Sequence, residues 1–222
     1  VLPLYLALVL AAWPHRNSAP PHGEDPPGDY AQLWRRPGIR RFLLVAMLMQ
    51  MGFGAFYVFY TLHLEAAQHS GLAIGLLWGA GVLSEIAVFW VSPRLFARFG
   101  APALLSFCLA VTVLRWVATA LFPAALPLMF AAQLLHAFSF AVFHGCCMRQ
   151  MAESFPGRDA AAGQSMLYSL SSGVGGVLGA LLSAALWEWG GGRAAFLGAA
   201  GVVAAAWAVY AMRKPLTVPA AG

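Results

Sequence analysis

Four side chains in this sequence could do proton chemistry, and each interrupts an apolar run: Glu85, Arg115, His136 and His144. A carboxylate and an imidazole can each gain and lose a proton, while a guanidinium is a fixed cation that biases both. The densest stretch runs from Gln133 to Arg149, with His136 and His144 eight residues apart. In an uninterrupted helix that spacing is two turns plus roughly 80°, so the two rings share one broad face at different depths. Lipid offers a titratable group no partner, so such a face turns towards protein or water. Two plainer readings stand beside the chemical one. The histidines would be hydrogen-bonded between packed helices, and Glu85 and Arg115 would form a structural ion pair.

His144, Cys146, Cys147 and Met148 invite a metal reading, because imidazole, thiolate and thioether together suit copper(I) or zinc. Adjacent cysteines on a helix point about 100° apart, and the sequence has no second cluster to complete a coordination shell. No metal and no cofactor is expected. No paired histidine-rich boxes, Ser-His-Asp set or phosphate-binding loop appears either, so the expectation is not an enzyme. Phe53, Phe56, Tyr57, Phe59 and Tyr60 crowd one apolar segment, where they would line a site for an aromatic ligand or form an interfacial aromatic belt.

These residues need elements to hold them. With 61% hydrophobic and 9% charged residues among 222, and a mean hydropathy of +0.73, the chain reads as an all-α integral membrane protein. Six spans of about 20 residues are expected at 42–63, 72–91, 101–121, 125–148, 163–187 and 193–212. Counted along those spans at 1.5 Å per residue, Glu85 lies roughly 20 Å below the outer face, His136 roughly 17 Å and Arg115 roughly 9 Å. Ahead of them, 1–13 is apolar but too short to cross alone, and 14–41 is rich in proline and charge until the cluster Trp34, Arg35, Arg36, Arg40 and Arg41. The chain opens on Val1 without the basic region or cleavage site of a secretory signal, and reads as a fragment.

The net charge of +5 would ordinarily raise nucleic acid as a partner. With alternating spans that start inside, Arg16, Arg35, Arg36, Arg40, Arg41, Arg94, Arg98, Arg149, Arg158, Arg213 and Lys214 all fall on the cytoplasmic side, eleven of thirteen basic residues. The charge is therefore topology, and no nucleic acid is expected. Cys108, Cys146 and Cys147 all lie in apolar segments and form no disulfide framework. In the fifth span Gly175 and Gly179, four residues apart among serines and alanines, permit close helix approach.

Several runs match a known family. They are Phe59 to Ala67, Ile74 to Glu85 (with Trp78), Arg115-Trp116, and Gln133 to Arg149 with His136 and His144. Over about 36–215 the chain resembles the C-terminal half of a major facilitator superfamily transporter. It is most similar to the 3-phenylpropionic acid permease family, which is related to lactose permease and nucleoside:proton symporters. The resemblance implies inverted repeats of three plus three helices over 42–214. It also implies the end of a preceding transmembrane helix at 1–13, a central cytoplasmic loop at 14–41 and a cytoplasmic tail at 215–222.

Segment 92–100 resembles the superfamily's cytoplasmic loop motif, keeping Arg94, Arg98 and Gly100 but lacking its acid. By the same likeness Glu85, Arg115 and His136 or His144 take part in proton-coupled binding. Glu85 is the first choice for the proton, and Phe56, Tyr57, Tyr60 and Gln133 are candidates to line the substrate path. The implied partners are a small organic solute such as an aromatic acid, a proton, membrane lipid and a missing N-terminal six-helix half. The implied location is the bacterial cytoplasmic membrane. A nucleoside or sugar symporter, or a six-helix remnant without transport, is the alternative.

Overall fold

The computed structural model describes residues 34–35 and 38–212. The segments 1–13 and 215–222, most of 14–41, and Arg16, Arg36, Arg213 and Lys214 lie outside the described residues. Every regular element among the described residues is helical, and no strand occurs. Helix α1 (Ile39–Gly52) runs through a bend at Phe53 into α2 (Gly54–Ala66), and α3 (Gly71–Leu121) follows. Then α4 (Leu126–Leu134) continues through a π-helical turn (Phe138–Val142) into α5 (Phe143–Ser154). After a 3-10 turn, α6 (Ala160–Tyr168) passes through a second π-helical turn (Ser169–Gly175) into α7 (Gly176–Ala211).

The helices group into four apolar stretches, Ile39–Ala66, Gly71–Leu121, Leu126–Ser154 and Ala160–Ala211, of 28, 51, 29 and 52 residues. Each exceeds the roughly 20 residues that a bilayer crossing needs. This is a multi-pass membrane architecture. Two of the stretches would be about 77 Å long if straight, more than twice the roughly 30 Å hydrocarbon core. Neither is straight. Gly100 has φ 72° and ψ 155°, and Gly190 and Gly191 also leave helical geometry, Gly191 with φ 64°. Only glycine adopts such positive φ without strain, so these are the points where a long apolar run can change direction.

The core forms where α1 and α2 lie along the second π turn and α7. Backbones meet there, because a Cβ on Gly179 would lie 2.8 Å from Met51 Cα and one on Gly175 would lie 2.6 Å from the Met47 carbonyl oxygen. The small-residue spacing in the sequence is used for this approach. Gly179→Leu is expected to lower stability by about 1–3 kcal/mol or more, since backbone rather than a flexible side chain must yield. Gly176→Leu is the control, having nothing within 4 Å of its would-be Cβ. Thermal unfolding of the purified protein in detergent reads the difference; equal midpoints would contradict this packing.

Phe53, Phe56 and Tyr60 are buried in this core, Tyr57 is 50% exposed, and Phe59 stacks on Trp187 at 4.6 Å between ring centroids. The aromatic segment is thus divided between packing and surface. Apolar side chains such as Leu72, Leu83, Phe89, Trp90 and Leu181 stay exposed on the outer faces. That is expected where the surroundings are lipid rather than water.

Candidate functional site

Arg115 sits in α3 beyond Gly100 and is only 1% exposed. A buried guanidinium needs acceptors for its nitrogens, and here each of the three donates to a neutral one. Its Nε donates to the Ala132 carbonyl at 2.7 Å, NH1 to Ser139 Oγ at 2.9 Å, and NH2 to Gln133 Oε1 at 2.7 Å. Its Cζ lies 4.8 Å from the centroid of Phe56 and 4.5 Å from that of Trp116, so aromatic faces complete the surroundings. The Ser139 hydroxyl in turn donates to the His136 carbonyl at 3.2 Å. One side chain therefore ties α3 to α4 and to the first π turn.

Glu85 does not bond to Arg115. Its Oε1 lies 2.7 Å from His136 Nε2, with side-chain exposures of 21% for Glu85 and 9% for His136. The structural ion pair considered between Glu85 and Arg115 is not formed: Glu85 meets His136, and each guanidinium nitrogen donates to a neutral acceptor instead. A cavity of about 190 Å³ opens beside the pair, lined by Phe56, Tyr57, Trp78, Gly81, Val82, Glu85, Gln133, His136 and Phe140. Tyr60 lines neither this cavity nor the larger one described below. It packs against Phe56 and Trp78, with a buried hydroxyl that has no hydrogen-bond partner among the described residues.

His144 lies one ring further along. His136 stacks on Phe140 at 5.6 Å with 7° between planes, and Phe140 on His144 at 6.5 Å with 14°. The π turn at Phe138–Val142 explains this column. A π turn takes up about one extra residue, turning the chain back by roughly 100° against the 80° that eight α-helical residues would add. The rings, offset in a uniform helix, become nearly aligned. His144 Nε2 then lies 3.2 Å from the Tyr168 hydroxyl, across a second cavity of about 400 Å³. Both π turns line it, the first with Ser139 and Phe140, the second with Ser171 and Ser172, alongside Gln50, Phe53, Tyr57, Phe143 and Cys147.

Of the four residues singled out by their chemistry, Glu85, Arg115 and His136 are thus gathered around Gln133 and Phe56, and His144 serves the neighbouring cavity. Ser139 and Tyr168 escaped the sequence reading, although Ser139 stands three residues from His136 and is one of few polar residues in that run. Arg94 and Arg98 are exposed at the end of the first half of α3, just before the break at Gly100. Cys108, Cys146 and Cys147 are buried free thiols, and Cys146 Sγ lies 3.6 Å from the Ala101 carbonyl oxygen. Among the described residues no three His, Cys, Asp or Glu side chains converge as metal ligands would.

The chain is similar to two proteins described as transporters. It is 36% identical over 112 residues to one from Escherichia coli (strain K12) described as a 3-phenylpropionic acid transporter, covering 50% of this chain and 29% of that protein. It is 34% identical over 182 residues to one from Deinococcus radiodurans described as a sugar efflux transporter, covering 80% of this chain and 44% of that protein. The chain thus spans less than half the length of either relative. No solved structure matches it. The model of the MFS_1 like family matches residues 10–198, and with most of its length inside that match the chain belongs to this family of major facilitator superfamily transporters, not to an enzyme family.

Proposed function

We propose that this chain is the C-terminal part of a proton-coupled secondary transporter that moves a small organic solute, an aromatic acid being the first candidate. The observation that carries the reading is the Glu85–His136 contact at 2.7 Å, next to the buried Arg115. Ionisable groups are expensive inside a membrane and are kept there for ion or substrate pathways. A carboxylate on an imidazole gives a site that loads and unloads one proton, and Arg115 supplies a fixed positive charge beside it.

The six-span division supports this reading. With breaks at Gly100 and Gly190–Gly191, the four apolar stretches divide into six segments, each long enough to cross. Three plus three inverted helices would place the solute near the midplane, facing an N-terminal half. The arginines at Arg94, Arg98 and Arg149 argue for a cytoplasmic side shared with 14–41 and 215–222, in a bacterial cytoplasmic membrane.

The solute site is the 400 Å³ cavity, with Phe53, Tyr57, Phe140 and Phe143 as an apolar wall and Gln50, His144, Tyr168, Ser171 and Ser172 as polar contacts. Tyr168→Phe removes the partner of His144 and is expected to raise KM about two- to tenfold with little change in kcat, the worth of one neutral hydrogen bond. A sugar or nucleoside is the second reading. It is favoured by the lining of this cavity, which holds no Asp, Glu, Lys or Arg, and by Arg115 being buried outside it.

Uptake of a labelled aromatic acid, a nucleoside and a disaccharide by cells expressing the complete gene, with and without a protonophore, separates these readings. Protonophore-sensitive uptake of one class supports symport and names the solute. Uptake indifferent to the protonophore removes the proton from the mechanism.

A further inference from the structure

Among the described residues, Tyr57 and Phe140 line both cavities, the one of about 400 Å³ and the one of about 190 Å³. Every other lining residue belongs to one cavity alone, so these two rings form the partition. A break in the helix sets each of them there. Tyr57 stands one turn beyond the bend at Phe53, whose carbonyl accepts from the Tyr57 N–H at 3.0 Å, and Phe140 lies inside the first π turn. The Phe53 ring braces both, 5.7 Å from Tyr57 and 6.1 Å from Phe140 between centroids. Phe140 is held further by the column of His136 and His144, and Tyr57 by Phe56 at 5.6 Å.

The cavities on the two sides differ in kind. The larger one combines aromatic rings, the partition among them, with neutral polar groups at other positions. A phenyl ring gains by packing on the aromatic side and a carboxylate by reaching the polar groups, so an aromatic acid seats with its ring end against the partition. Beyond that wall the smaller cavity continues with Phe56, Trp78 and Val82, an apolar lining that suits a further ring. At about 190 Å³ it falls below the roughly 300–1,000 Å³ of ordinary ligand sites, whereas 400 Å³ lies within them. It has the size of an extension that the partition closes off.

We infer that Tyr57 and Phe140 are specificity-determining residues that end the solute cavity at its aromatic side and so limit how long an aromatic acid it takes. The inference rests on the reading of the larger cavity as the solute site and adds which dimension of the solute is measured there. Rings braced at native packing density do not yield to an added group without strain.

The test is equilibrium binding of two labelled acids to the complete reconstituted transporter: 3-phenylpropionate, and 3-(biphenyl-4-yl)propionate with its second ring at the para position. The parent is expected to bind the biphenyl acid at least about tenfold more weakly, since a single misfitted methylene is already worth about that much. Tyr57→Ala and Phe140→Ala each open the wall, and each is expected to shrink this preference at least about fivefold. Tyr57→Phe keeps the ring and should keep the preference, which separates bulk from any role of the hydroxyl. Each value compares two ligands on one protein, so loss of folded protein cancels. Tyr57 is half exposed, and its variant remains informative if removing Phe140 from the ring column unfolds the chain. A parent that binds both acids alike, or an opened variant with the parental preference, overturns the partition and leaves the solute site standing. Ser172→Leu narrows the larger cavity from the second π turn and is expected to weaken 3-phenylpropionate at least about tenfold. If it does not, or if the parent binds no 3-phenylpropionate, the solute-site reading falls and takes this inference with it.

Discussion

Glu85→Gln is expected to abolish accumulation driven by a proton gradient while leaving exchange of solute across the membrane intact. The side chain keeps its shape, and the amide can still meet His136 Nε2, but the pair no longer has a carboxylate to protonate. For one proton per solute, a pH gradient of one unit is worth about 1.4 kcal/mol and supports about tenfold accumulation. The variant should equilibrate near a ratio of about one under the same gradient. Retained exchange shows that the protein is folded and the solute site is open. Glu153→Gln is the control, because Glu153 is exposed and pairs only across one helical turn with Arg149 at 3.0 Å. Undiminished accumulation in Glu85→Gln would remove Glu85 from the coupling path.

Arg115→Met is expected to lower the stability of the protein by about 3 kcal/mol. The substitution leaves Gln133 Oε1, Ser139 Oγ and the Ala132 carbonyl without their donor, each in a buried setting. An unsatisfied buried polar group costs about 1–3 kcal/mol; Ser139 Oγ keeps its bond to the His136 carbonyl, so the loss of the Gln133 and Ala132 contacts sums to about 3 kcal/mol. For a helical body of this size, 3 kcal/mol corresponds to a fall of roughly 6–12 °C in the unfolding midpoint. Arg115→Lys should fall between parent and Met, because a single ammonium cannot span three acceptors held by a planar fork. The comparison is thermal unfolding in detergent by light scattering or intrinsic fluorescence. A midpoint in Arg115→Met within about 1 °C of the parent would mean that the guanidinium does not hold α3 to α4.

These two expectations divide the polar cluster by role. Arg115 is enclosed, each of its three nitrogens donates to a buried acceptor, and these bonds join elements. Glu85 is partly exposed beside a cavity and has one partner, His136, in the stretch between α4 and the first π turn. Gln133 stands between them with one bonded and one free end. The neighbouring cavity is neutral in its lining, so a solute bound there would be selected by shape and hydrogen bonding rather than by charge.

Membrane class, helical content and the identity of the unusual residues were legible in the sequence, because each is a local property. Apolar runs of this length have few other uses, and a charge inside one is conspicuous wherever the helix points. The small-residue spacing at Gly175 and Gly179 was legible for a related reason: without side chains those positions let a neighbouring backbone come close, and α1 does so.

Partnership was not legible. Pairing Glu85 with Arg115 was the plainer alternative that charge alone offered, whereas His136 takes the carboxylate and three neutral oxygens accept from the guanidinium. The alignment of His136 with His144 depends on a π turn that a uniform 3.6-residue period does not contain.

What the sequence by itself determined is an apolar, helical, membrane-spanning chain with an acid, a guanidinium and imidazoles inside it, since composition and period suffice for that. What only the tertiary structure decided is which of those groups touch. Hydrogen bonds act over about 3 Å, and a rotation of one residue about a helix axis moves a side chain by about 100°, so contacts depend on helix bends, π turns and packing that no local pattern specifies.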